Sequence, residues 1–166
     1  MTIAEQLKLV VAALSDWCQT NRGRAFAAGD VPHLLDELRM KPGVPSCGVM
    51  FWTEDPHGEY PELGKVLRGF KVVISRYKGF KVVSGESLTD GASGGPPMFD
   101  LIQGAKQACL SVRVTDEEGE MQVPQYQGIG PFEVQGLVLD AFEIRFGLFA
   151  QDEVEVEDAR GDGGDE

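Results

Sequence analysis

Ile3, Leu7, Val10, Val11, Leu14, Trp17 and Cys18 fall on one side of a 3.6-residue spiral, behind Thr2 and Glu5 in T-x-x-E order. That spacing predicts an amphipathic helix over about residues 3–20, opened by a capping box and packed inward. In the next stretch, Asp30 ahead of Pro32 predicts the N-cap of a short helix running through PHLLDEL. From Lys41 to Gly64 the density of Pro and Gly leaves room for one strand, near Cys47–Thr53, within an irregular connection.

The period then changes. GFKVV occurs at 69–73 and again at 79–83, with Phe70, Val72 and Ile74 alternating against Lys71, Val73 and Ser75. A period of two is that of a strand. The SRYKG between the copies predicts a hairpin, and a single long bulged strand accounts for the same residues. Helical spacing returns at Met98, Leu101, Ile102, Ala105, Cys109 and Val112, predicting a helix over about Pro97–Ser111 with its apolar stripe on a sheet. Finally Phe132, Val134, Val138, Phe142, Ile144, Phe146 and Leu148 share one parity, against Glu133, Gln135, Glu143 and Arg145 on the other. This gives an antiparallel pair, or one long strand bent near Gly136 or Asp140. The expected class is α+β: an antiparallel sheet with two main helices on one face, in a single domain over 1–151.

Composition narrows this further. The 166 residues, 42% hydrophobic, suffice for one substantial core. No apolar run approaches the roughly 20 residues of a membrane helix, and no basic leader precedes the first apolar stretch, so a soluble, non-secreted chain is expected. Cys18, Cys47 and Cys109 are odd in number and scattered, which predicts reduced thiols in place of a disulfide framework or zinc knuckle. Of the net charge of −12, residues 152–166 carry eight acids and one Arg, or −7, leaving −5 for the body. A like-charged, Gly-rich end cannot bury enough apolar area to offset its ordering entropy, so 152–166 is expected to be a disordered acidic tail. Without clustered Lys and Arg, tight DNA binding is disfavoured.

Two stretches could carry chemistry. GASGGPP at 91–97 precedes a helix but lacks the Lys and hydroxyl of a phosphate-binding loop. Pro96 and Pro97 lack backbone N–H donors there, and Asp100 adds negative charge, so the loop is expected to be a mobile connector. FWTEDPHGEY brings Glu54, Asp55, His57 and Glu59 within six residues. Such a group could ligate a metal or exchange protons, but its spacing fits no established ligand motif, and a solvated turn is the expectation. His33 on its short helix is expected to be structural, and Cys109 on the apolar stripe to be core. No enzymatic activity and no cofactor or metal are therefore expected, the alternative being a small metal-dependent enzyme built on Glu54–Glu59.

An amphipathic first helix, the central GKVLRGFKVVISRYKGFKVV, a Gly-rich loop, the helix PPMFDLIQGAKQACLSV and the closing YQGIGPFEVQGLVLDAFEIRFGLFA follow in that order. This order resembles the tail-terminator (tail-completion) proteins of long-tailed bacteriophages over roughly residues 1–150. The resemblance implies a structural virion protein that forms a hexameric ring on the tail tube, ends tube polymerisation and offers a docking surface to the head connector. The implied partners are copies of itself, the tube protein and a connector or stopper protein. Genomic DNA would pass through without specific binding, and no membrane would be involved. Location would be the tail or neck of the virion, after assembly in the host cytoplasm. A stopper-type neck adaptor or minor tail protein is the nearest alternative. The loop over 84–96, SGESLTDGASGGP, is expected to be disordered in a free subunit and ordered against a neighbouring subunit or the tube, and the expected interface is its Ser87, Leu88, Thr89, Asp90, Gly91, Ala92, Ser93, Gly94 and Gly95 together with Tyr126.

Overall fold

A computed structural model describes residues 1–58, 64–76, 96–116, 118–134 and 141–151. The first helix, α1 (Ile3–Ala13), opens with the predicted capping box: Thr2 Oγ1 accepts from the Glu5 N–H at 3.2 Å and Glu5 accepts from the Thr2 N–H at 2.6 Å. The expected single helix is divided, however, because Leu14 flattens to ψ −3° and α2 (Ser15–Asn21) starts beyond it. The Leu14 N–H is shared between the Val10 and Val11 carbonyls, each at 3.2 Å. Beyond this bend Trp17 is buried, and its indole N–H donates to the Leu101 carbonyl at 2.9 Å, giving the ring's polar tip a partner. Gly23, just after α2, has no room for a side chain: a Cβ would stand 2.7 Å from the Pro45 carbonyl oxygen and 2.9 Å from the Trp17 ring.

Next come β1 (Arg24–Ala27), α3 (Val31–Met40), β2 (Ser46–Pro56) and β3 (Lys65–Ser75). The Asp30 cap forms as predicted, accepting from the His33 N–H at 2.8 Å. The short strand β1 carries no sequence signature of its own. It is tied down by Arg24, which donates to Ser46 Oγ at 3.1 Å and pairs with Glu37 of α3 at 3.1 Å. The chain continues through α4 (Met98–Leu110), the two-residue strands β4 (Val114–Thr115) and β5 (Met121–Gln122), then β6 (Gln125–Pro131) and β7 (Ala141–Gln151).

Five strands form one sheet in the order β1-β2-β3-β7-β6, mixed because β1 runs parallel to β2 while the other pairs are antiparallel. With the four helices of the described residues this is an α+β fold. β3 is central: Val72 lies between Val49 and Ile144, and Phe70 between Phe51 and Phe146. Both edges of 69–73 are therefore filled by β2 and β7, so the predicted hairpin partner is displaced by two longer strands of matching apolar period. Residues 79–83 lie outside those described, as do Gly136, Asp140 and the acidic tail at 152–166.

One face of the sheet holds the main core. Cys47, Val49, Phe70, Val72, Ile74, Ile144, Phe146 and Leu148 pack with Val10, Leu14 and Trp17 of the first helices and with Met98, Leu101, Ile102, Ala105 and Cys109 of α4. Each large apolar side chain buried here contributes about 1.5–3 kcal/mol. α3 lies on the opposite face, where Leu34 and Leu38 cover Met50, Val73 and Ala141. Phe132 joins this second cluster, so the parity it was expected to share with Phe142 does not carry across the reversal between β6 and β7. A buried polar clamp joins α1 to the sheet: Arg68 pairs with Glu54 at 2.8 Å and donates to Gln6 Oε1 at 3.2 Å and the Met1 carbonyl at 2.7 Å, while Gln6 donates to the Phe149 carbonyl at 3.2 Å.

Candidate functional site

The acidic cluster of FWTEDPHGEY is divided by strand alternation. Glu54 stands opposite Arg68 and is ion-paired with it on the α1 side. Asp55 and His57 alternate to the other face, where Asp55 accepts from Thr53 Oγ1 at 3.1 Å and the His57 ring packs edge-on to Phe149 at 4.7 Å. Glu59 lies outside the described residues. Among the described residues no group of three His, Cys, Asp or Glu side chains is placed to hold a metal ion. His33 has the structural setting expected: its Nδ1 accepts from the Gly29 N–H at 3.2 Å, and its Nε2 is 3.7 Å from Glu37. Burial pushes the Cys109 thiol up to about 12, and burial followed by the charges of Cys109 and Cys18 raises Cys47 well above the ordinary thiol value. Both therefore stay protonated and weakly nucleophilic.

A cleft of about 600 Å³ opens where the ends of β3 and β7 meet the β4–β5 hairpin, lined by His57, Lys65, Asp116, Gln122 and Phe149 among others. Of the two carboxylates that line it, Asp116 and Glu118, the first is already engaged. Asp116 accepts from Gln122 Nε2 at 2.9 Å, the Glu120 N–H at 2.8 Å and the Glu118 N–H at 3.0 Å. The Gln122 bond, followed by these backbone bonds, holds the carboxyl below its usual range. Asp116 thus braces a turn whose Gly119 takes a left-handed φ of 83°.

The third candidate is the outer edge of β6. This strand is last in the sheet order, and among the described residues no strand pairs with its outer side. Of the predicted interface residues, Ser87, Leu88, Thr89, Asp90, Gly91, Ala92, Ser93, Gly94 and Gly95 lie outside the described residues, while Tyr126 is on this edge strand. It is exposed, with Lys106 Nζ of α4 lying 4.3 Å from its ring centre. Exposed apolar side chains flank both ends of the strand: Met121 and Val123 lead into its start in the chain, and near its other end Phe99 packs at 5.8 Å against Phe142, whose strand partner is Pro131.

The two faces of this edge differ. Tyr126 and Ile129 stand opposite Phe146 and Ile144, on the helix-covered face. Gly128 and Gly130 alternate to the other face and present no side chains there. Arg145 faces Gly128, with a guanidinium nitrogen 3.5 Å from where a Cβ would stand. Its Nε is 3.9 Å from Glu143 and has no hydrogen-bond partner among the described residues. Among the described residues the edge therefore combines unpaired main chain, an apolar rim on one face, and on the other two glycines that stand opposite Arg145 and Glu143. Sequence reading reached Tyr126 but missed Arg145; the alternation of Gly128 and Gly130 within an otherwise strand-like run was the available signal. No protein-family model matches this chain, and no curated protein matches it.

Proposed function

We propose that this chain is the subunit of a homo-oligomeric ring of the tail-terminator kind: a structural virion protein that closes the end of a phage tail tube, ends its polymerisation and presents a docking surface to the head connector. The observation that carries this reading is the β6 edge, open among the described residues, with its exposed apolar rim. An edge strand left unpaired beside exposed Tyr, Phe, Val and Met side chains is suited to association, and a closed ring removes such an edge by giving each copy a neighbour. The order of elements supports the same reading, as does the charge: a body of net −5 with no Lys and Arg cluster would let genomic DNA pass without holding it. The ring is most simply a hexamer, assembled in the host cytoplasm and carried in the tail or neck of the virion.

The test is to mix the purified full-length chain with polymerising tube protein and image the products by negative stain. Rings capping one end of tubes of restricted length are expected. Tubes that grow to the same lengths with and without the chain would overturn the reading. Rings that bind connector protein while leaving tube growth unchanged would replace it with a neck adaptor.

A further inference from the structure

Residues 153–157 read Glu-Val-Glu-Val-Glu, a strict alternation of acidic and β-branched residues immediately beyond β7. We propose that this segment of one copy adds as a strand to the outer edge of β6 of a second copy. The match is specific in three ways. Five residues at about 3.3 Å each lie within the seven-residue length of β6. An added strand directs alternate side chains to opposite faces, and the two faces here want different chemistry. Val154 and Val156 meet the rim of Tyr126 and Ile129, whereas Glu153, Glu155 and Glu157 lie on the glycine face, in register so that one of them stands by Gly128 and reaches Arg145 rather than Glu143 opposite Gly130. Main-chain pairing supplies affinity, and the alternating side chains fix register.

The geometry favours donation between copies over folding back. Gln151 pairs with Lys65, four residues past Gly147, the partner of the first β6 residue Gln125. To reach its own β6 edge the chain would have to reverse at once beside Gln122, which lines the same cleft as Gln151. The inference shares with the ring reading only the requirement for self-association.

The experiment uses the full-length chain and a V154D/V156D variant, which keeps the tail's length and removes its apolar face. Mass is followed by light scattering over a dilution series, and hydrogen exchange is read at the amides of Gln125–Pro131. The expected result is concentration-dependent association with protected β6 amides, weakened at least about tenfold in the variant, with that protection lost. Arg145→Ala should weaken association about fivefold, and raising salt from 0.1 to 1 M should act in the same direction. A synthetic peptide of residues 151–158 should compete. Equal association and equal β6 protection in the V154D/V156D variant, or a full-length chain that stays monomeric with β6 amides exposed, would overturn the inference. Rings that survive in the variant would sink this inference and leave the ring reading standing. Tail-dependent association in a chain that never caps tubes would do the reverse.

Discussion

At the scale of single residues, burial decides which groups can react. Cys47 and Cys109 are fully buried and Cys18 only partly so. Because burial raises all three thiols, the reactive thiolate is disfavoured near neutral pH, most strongly at the two core positions. With a thiol reagent at pH 8, Cys18 should react first in the native protein, and Cys47 and Cys109 only after denaturant is added; early modification of either core thiol would contradict the packing. Gly23 is the corresponding steric test. Gly23→Ala must push against a backbone carbonyl and an indole that is itself held by Leu101, so it should lower stability by about 1–3 kcal/mol in urea titration. The sequence made Cys109 legible as core through helical spacing. It could not show the Gly23 constraint, because Pro45 and Trp17 meet it only through the fold.

Elements were legible where the signal is local. The Thr2–Glu5 box, the Asp30 cap and the stripe from Met98 to Cys109 each depend on residues within a few positions of one another, and each forms. Asp30→Ala should accordingly cost about 1 kcal/mol, read as a lower urea midpoint with an unchanged slope. Partner choice was not legible. GFKVV at 69–73 has a strand's period whatever lies beside it, and which strands fill its edges is decided by long-range apolar matching with Val49, Phe51, Ile144 and Phe146. β1 was missed for a related reason, since four residues held by Arg24 through Ser46 and Glu37 have no periodicity to detect. The division of α1 from α2 at Leu14 lies inside an unbroken apolar stripe and leaves no mark on the pattern. Of the candidate site, Tyr126 was legible as an aromatic in the closing strands, and the Arg145–Gly128 contact required the β6–β7 register.

For the molecule as a whole, the acidic end should matter to association and not to folding. Residues 152–166 combine net −7 with little apolar surface, so removing them should leave the unfolding free energy of a dilute sample, read by urea titration, within about 0.5 kcal/mol of that of the full chain. A loss of several kcal/mol would show that the segment is part of the subunit's own core. The strand order also sets a schedule. β3 cannot complete its pairing until β7, whose Ile144 meets Val72 across 72 positions of chain, has been synthesised, and among the described residues β6 pairs only with β7. Such non-local pairing folds slowly, on the order of milliseconds to seconds. On the ribosome, the outer edge of β6 is therefore not held in its final shape until residues 141–151 have emerged. A nascent chain consequently has no finished β6 edge to offer its neighbours on the same messenger, and the association proposed above would be deferred to completed subunits.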